Sequence, residues 1–196
     1  MPAPLILAST SGYRRALLER LGLCFSVLAP GVVETPRAAE TPAARASRLA
    51  VEKAMAVARV RPDAVVIGSD QVAALDGTVL HKPGDARRAV AQLLAASGKQ
   101  VEFLTAVAVA HAGGRRCSVE LDRTRVRFRR LDEASLRDYV RRDQPLDCAG
   151  AFKAEGLGIA LFDSIQSEDP TALVGLPLIR LCSLLEHAGV RVLGDG

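Results

Sequence analysis

The chain has no tryptophan, and aromatic residues make up only 4% of its 196 positions. A core short of large rings has to be built from Leu, Val and Ala. Lysine is also scarce: Lys53, Lys82, Lys99 and Lys153 are the only lysines among 26 basic residues. Each is therefore a more informative cation than any single arginine. No apolar run approaches the roughly 18 residues that a membrane span needs. Leu5–Ala8 is too short and too early for the core of a signal peptide. A cytoplasmic protein with no membrane partner is expected. Cys24, Cys117, Cys148 and Cys182 lie far apart with no C-x-x-C pair, which argues against a disulfide framework or a zinc site. His81, His111 and His187 have no metal-ligating neighbour at short spacing. There is no Walker loop, no G-x-G-x-x-G, and no apparent Ser-His-Asp or Cys-His arrangement. A net charge of +4 suits anionic small molecules, but without a basic block interleaved with aromatics it predicts no stable nucleic-acid partner.

What is present reads as alternating strands and helices. Pro4–Ala8 predicts a first strand, and Tyr13–Leu21 a helix stopped at Gly22. Phe25–Leu28 predicts a second strand. Thr41-Pro42 is an N-cap followed by proline at the first helical position, opening a helix to about Val60. Val65-Val66-Ile67 reads as a buried strand that stops on Gly68-Ser69-Asp70, placing a carboxylate at a strand tip, where open α/β sheets hold ligands. Val72–Leu80 around Asp76-Gly77 predicts a hairpin. Extending its register sets Gln71 opposite Lys82 and makes Asp70 and Lys82 neighbours. Asp85 caps a helix to Ala96, and Val101–Ala110 and Arg115–Phe128 predict two long strands around Gly113-Gly114. A helix from Leu131-Asp132 to Arg142, a short strand Ile159–Phe162, a helix Pro177–His187 and a last strand Val190–Leu193 complete the expectation. The pattern predicts an α/β fold: a mixed twisted sheet with flanking helices, as one domain over 1–196.

Four segments carry chemistry-bearing residues. Ser9-Thr10-Ser11-Gly12-Tyr13-Arg14-Arg15 joins the first strand to the first helix, and its hydroxyls, helix-start N–H groups and arginines make an anion site or an ordinary capped helix. Glu34 lies in a loop and Lys53 in mid-helix, and in isolation each also reads as a solvated residue. Lys153 and Glu155, flanked by glycines in Phe152–Gly158, fit either a ligand-facing loop or a surface pair. The acid–lysine pairing at Asp70 suits work on phosphates, where metal and cation share a small space, and otherwise reads as a surface ion pair.

Together these segments resemble a known family. Leu7-Ala8-Ser9-Thr10-Ser11-x-Tyr13-Arg14-Arg15-x-Leu17-Leu18, Arg48-Leu49-Ala50-x-Glu52-Lys53-Ala54, Ile67-Gly68-Ser69-Asp70-Gln71 and Lys82-Pro83 are similar to the Maf nucleotide pyrophosphatases. Leu146–Gly158 and Asp169–Pro177 resemble one branch more narrowly, the 7-methyl-GTP pyrophosphatases. The resemblance implies two lobes around a cleft, as in inosine-triphosphate pyrophosphatases. It implies cleavage of a nucleoside triphosphate between the α and β phosphates, a divalent metal (Mg2+ or Mn2+, with Co2+ as a further candidate) and a cytoplasmic homodimer. By motif position Asp70 would accept the proton and, with Glu34, hold the metal. Arg14, Arg15, Lys53 and Lys82 would hold phosphates beside Ser9 and Ser11, and Tyr13, Gln71 and Glu155 would distinguish bases. A dTTP/UTP or broader non-canonical nucleotide pyrophosphatase is the alternative enzyme. A nucleotide-binding regulator of cell division without essential catalysis is the alternative class. Three positions depart from the pattern: Gly12 stands where proline is usual, Val33 where an aspartate often precedes the glutamate, and His81 where glycine usually precedes the lysine.

Overall fold

The computed structural model describes residues 3–194. Its elements in chain order are β1 (Leu5–Ala8), α1 (Gly12–Glu19), β2 (Ser26–Val27), α2 (Pro42–Val60), β3 (Val65–Leu75), β4 (Thr78–Leu80), α3 (Ala86–Ala96), β5 (Gln100–His111), β6 (Arg116–Phe128), α4 (Glu133–Asp143), β7 (Phe162–Gln166) and α5 (Leu178–His187). Short 3-10 turns cover Leu157–Leu161 and Ala172–Val174. The strands form one mixed sheet in the order β2-β1-β3-β5-β6-β7, with β4 also on β3. The α/β expectation holds.

Local chemistry explains most boundaries. The Thr41 side chain accepts the Ala44 N–H at the start of α2, with Pro42 at the first turn where its missing N–H costs nothing. Asp85 and Asp132 cap α3 and α4 in the same way. Asp76 and Gly77 both adopt positive φ, the backbone of a two-residue primed turn, and Leu75 pairs with Thr78.

β3 decides where a site can form. β5 runs along one of its edges from Val66 to Leu75. The other edge is shared: β1 pairs with Val65–Gly68, and β4 pairs with Ala73–Leu75. Ser69, Asp70, Gln71 and Val72 lie between, where the sheet opens on that edge. Asp70 thus sits in mid-strand rather than at a strand tip. The strand does not stop at Gly-Ser-Asp because β5 continues to satisfy its backbone.

Alternation sends the two sets of β3 side chains to different layers. Val66 and Val72 pack with Ala50, Ala54 and Val57 of α2. Val65 and Ile67 pack with Leu17 and Leu18 of α1 and Leu181 and Leu185 of α5. A third cluster joins α3 and α4 to the far ends of β5 and β6. Within it Phe103, Phe128, Phe152 and Phe162 meet edge to face. The few aromatics are thus concentrated on one side of the opening in the sheet, and the aliphatic α1, α2 and α5 layers lie on the other. These are the two lobes.

Three expectations need correction. The hairpin ladder ends at Ala73–Leu80, so Lys82 does not face Gln71. The chain leaves the strand there because the His81 carbonyl is taken by Gln92 Nε2 at 2.8 Å and Pro83 has no N–H to continue the ladder. Ile159–Phe162 is mostly 3-10 turn, and β7 starts at Phe162 rather than ending there. Gly158 packs against the Lys153 backbone so closely that a Cβ would stand 2.4 Å from its carbonyl oxygen, which folds this segment into a turn. Val190–Leu193 is not a strand: the Val190 N–H closes on Leu185 O at 2.8 Å as part of the end of α5.

Candidate active site

At the opening in the sheet lies a cleft of ≈ 680 Å³ between the lobes. Its floor is made where α2 crosses β3. A Cβ on Gly68 would stand 2.3 Å from Ala50 O and 2.6 Å from Ala54 N, so glycine is what allows the helix to lie directly on the strand. Lys53, next to Ala54, then falls over Asp70, which shares the strand face of Gly68. The Lys53 ammonium lies 2.6 Å from Asp70 Oδ1 and 2.6 Å from Glu34 Oε1. Lys53 is 6% exposed and Asp70 7%. Lys53 is therefore a buried bridge between two carboxylates, and Asp70's partner is Lys53 rather than Lys82.

The two carboxylates are tuned in opposite directions. Burial pushes Asp70 above the usual carboxylate range, against the pull of Lys53 and Arg14. Glu34 also pays for desolvation, but the bond and charge of Lys53, with Arg14 and Lys82, hold it below its ordinary value. The two carboxylates sharing one ammonium thus differ in proton affinity, Asp70 the higher and Glu34 the lower.

The Glu34 loop is tied to α2. Arg45 donates to Glu34 O at 3.2 Å, and Arg48 to Thr35 O at 3.3 Å. Arg48 also pairs with Glu40 and Glu52. Its bond to Glu40 draws that carboxyl down to about 2. Arg45 lines the cleft and was missed by sequence reasoning. The available signal was spacing: Arg45, Leu49 and Lys53 recur every fourth residue and share one helix face.

The β1–α1 junction forms one wall. Ser9 is buried and lines the cleft, and its hydroxyl accepts the Ser11 N–H. Ser11 caps α1 by accepting the Arg14 N–H at 3.4 Å. Arg14 lines the cleft and anchors its Nε on Gly175 O at 2.8 Å. Burial lowers its pKa, opposed by the charges of Asp70 and Glu34. Arg15 is a correction: it is exposed, pairs with Glu19 one helical turn on, and does not line the cleft. Successive helix residues point in different directions, so only one of the adjacent arginines turns inward.

The turn Ala172–Gly175 forms a second wall that sequence reasoning left unassigned. Gln71 Nε2 bonds Thr105 Oγ1, Ala172 O and Leu173 O, each at 3.0 Å. Its amide N–H groups thus hold this turn, and its Oε1 has no protein partner among the described residues. Ser69 Oγ reaches Gly175 O at 3.0 Å. Fully buried Asp169 fastens the other end, accepting from Thr171 and from the Ile179 N–H at the start of α5. Residues distant in sequence therefore set the carbonyl that aims Arg14.

At the open end, Lys82 is exposed, lines the cleft and has no carboxylate partner among the described residues. His81 stands beside it on the same rim. Tyr13 is half-buried in the cleft wall rather than in the α1 core. Its hydroxyl is 4.0 Å from Cys148 Sγ, and burial beside Cys148, Asp147 and Glu155 pushes its pKa up to about 12. Glu155 lines the cleft but does not pair with Lys153, whose ammonium goes to Asp143 O at 2.8 Å.

Residues 4–188 match the family described as Maf-like protein. The chain belongs to the Maf family. This Maf protein is 55% identical over 190 residues to the 7-methyl-GTP pyrophosphatase of Albidiferax ferrireducens, covering 97% of this chain and 96% of that one. It is 57% identical over 188 residues to the 7-methyl-GTP pyrophosphatase of Xanthomonas axonopodis pv. citri, covering 96% and 98%. The crystal structure of a nucleoside-triphosphatase / dITP/XTP pyrophosphatase from Mycobacterium abscessus aligns with this Maf protein at TM-score 0.42 and 19% identity, over 65% of this chain and 75% of that one; that is too distant to bear on the site.

Proposed function

We propose that this Maf protein is a nucleoside triphosphate pyrophosphatase that hydrolyses 7-methyl-GTP to 7-methyl-GMP and pyrophosphate, removing a modified nucleotide from the pool. The observation that carries the reading is the buried Lys53 bridge between Asp70 and Glu34 at the floor of a cleft that also holds Arg14 and Lys82. The relatives' names supply the substrate.

In this reading the triphosphate lies along the cations. Asp70, its proton affinity raised by burial, takes a proton from a water that attacks the α-phosphorus. The bond from the α-phosphorus to the bridging oxygen of the β-phosphate breaks, and the electron pair leaves with pyrophosphate. Arg14 and Lys82 stabilise that charge, and Lys53 keeps the two carboxylates from repelling the substrate. Ser9 and Ser11 shape the backbone that receives the phosphates, and Arg45 steadies the Glu34 loop.

The donor set fits a divalent cation. Among the described residues no three His, Cys, Asp or Glu side chains gather to hold a metal by themselves. Asp70 Oδ1 and Glu34 Oε1 both converge on the Lys53 ammonium, so a Mg2+ or Mn2+ would be held by the remaining oxygens of these two carboxylates, since such ions keep waters and complete their shell with substrate phosphates. A cation held there would supply charge neutralisation to the phosphates and lower the cost of deprotonating water. One domain, a cytoplasmic location and a homodimer belong to the same proposal. Among the described residues no helix is long and apolar enough to cross a membrane.

The test is a panel of nucleoside triphosphates scored for pyrophosphate, with and without EDTA. Pyrophosphate release that is greatest for 7-methyl-GTP and abolished by EDTA is expected. Release of orthophosphate instead contradicts the reading.

A further inference from the structure

The cleft has two ends of opposite charge. Around Asp70 and Glu34 stand Arg14, Lys53 and Lys82. Around Tyr13 stand Asp147, Cys148 and Glu155, all of which line the same cleft. Asp147 and Glu155 are both exposed to it, and neither pairs with a Lys or Arg among the described residues. The one lysine in this wall, Lys153, bonds the Asp143 carbonyl oxygen. Cys148 links the group: its Sγ is 4.0 Å from the Tyr13 hydroxyl and 3.5 Å from Asp147 Oδ1. Burial and the Asp147 carboxylate push the Cys148 thiol up to about 11, so it stays protonated and adds no charge of its own at neutral pH.

A polar cleft of this kind matches a ligand that is a polyanion at one end and a cation at the other. Methylation at N7 fixes a positive charge on the imidazole ring of guanine, and unmodified GTP carries none there. We infer that Asp147 is a specificity-determining residue, whose charge, held in no ion pair among the described residues, stands beside Tyr13 and Glu155 and favours a cationic base over a neutral one. The inference rests on the 7-methyl-GTP reading above and extends it to residues outside the motif positions matched to base choice. The carboxylate acts through space, so its effect is modest and falls as salt screens it.

The experiment is paired kcat/KM on 7-methyl-GTP and GTP, at low and high NaCl, with a melting curve for each protein. Asp147→Asn should lower the 7-methyl-GTP to GTP ratio by about threefold to tenfold, with the fall carried by 7-methyl-GTP. Asp147→Lys should lower it further. The wild-type ratio should narrow as salt rises. Asp163→Asn on β7, an exposed acid away from the cleft, is the control for overall charge and should leave the ratio alone. A wild-type preference for 7-methyl-GTP that survives both Asp147 variants overturns the inference and leaves the substrate reading standing. An equal shift in Asp163→Asn also overturns it, as a bulk charge effect. Wild-type protein with no preference overturns both.

Discussion

The two ends of the cleft are built from different material. The end proposed to hold the phosphates is made of regular elements: Lys53 on α2, Asp70 in the middle of β3, Arg14 on the first turn of α1. Lys53 and Asp70 are buried and bonded to each other, and Arg14 is anchored on Gly175 O. The end proposed to hold the base is made of the Asp147–Glu155 segment facing Tyr13, and the Asp147 and Glu155 carboxylates are exposed and in no ion pair among the described residues. Under the proposed function the contrast follows from what each end must do. A reacting centre needs fixed geometry and a low local dielectric, which packed helices and strands provide. A selecting surface can be carried by a loop, where a side chain can change without disturbing the sheet.

The sharpest way to break this comparison is to remove charge from the buried end. Asp70→Asn should lower kcat/KM by about 10²–10⁴-fold. Two opposed effects act on stability. Burial raises the folded-state pKa of Asp70 above its unfolded value, so its ionisation costs stability as pH rises through the folded pKa. An uncharged isostere removes that cost but leaves the buried Lys53 ammonium with Glu34 as its remaining carboxylate partner, so the variant should stay folded with a lower melting temperature than wild type. The acid limb of kcat/KM should lie above the ordinary aspartate value of about 3.9. A folded variant with most of its turnover would make Asp70 structural and favour the regulator reading.

Gly68→Ala tests the same end through packing. The added methyl meets Ala50 O and Ala54 N of α2, so the helix must lift and carry Lys53 away from Asp70. A loss of about 1–3 kcal/mol in unfolding free energy is expected, with a fall in kcat at least as large as that for Lys82→Ala. Normal turnover together with lowered stability would separate the helix–strand contact from the chemistry.

Cations outside the buried bridge should matter less. Lys82→Ala and Arg14→Ala should each cost about 1.5–3 kcal/mol in kcat/KM, the worth of a charge-assisted contact. Lys99→Ala is the control, because Lys99 is exposed and pairs with Asp76 away from the cleft. Equal losses at all three positions would point to bulk charge.

The smallest effects belong to the loop end. Glu155→Gln should narrow the 7-methyl-GTP to GTP ratio by about 1 kcal/mol, and Tyr13→Leu by less, within the range of about 0.5–2 kcal/mol for a cation over an aromatic face. Neither should lower the melting temperature much, since neither side chain belongs to a core cluster. An unchanged ratio in both would move base selection elsewhere in the cleft.

Legibility in the sequence followed the same division by locality. The Asp76-Gly77 turn and the Thr41-Pro42 helix start depend on adjacent residues and read correctly. Asp70 read as functional, but its partner did not. Extending the hairpin register pointed to Lys82, and the ladder ended before it, at Leu80. Lys53 looked like a solvated helical lysine because its burial depends on Gly68 lying under α2, a contact between separate elements. Gln71 read as a base contact, yet its amide N–H groups hold the Ala172–Leu173 carbonyls about a hundred residues on, leaving its Oε1 as the atom free to face the cleft. No local pattern carries such a pairing.

The central claim is that Asp70 directs water to the α-phosphorus at the floor of the cleft. Hydrolysis of 7-methyl-GTP in ¹⁸O-labelled water, with both products analysed by mass, tests it most directly. The account predicts one ¹⁸O in 7-methyl-GMP and unlabelled pyrophosphate, with both products lost in Asp70→Asn. Label in the pyrophosphate, or in released orthophosphate, would contradict it.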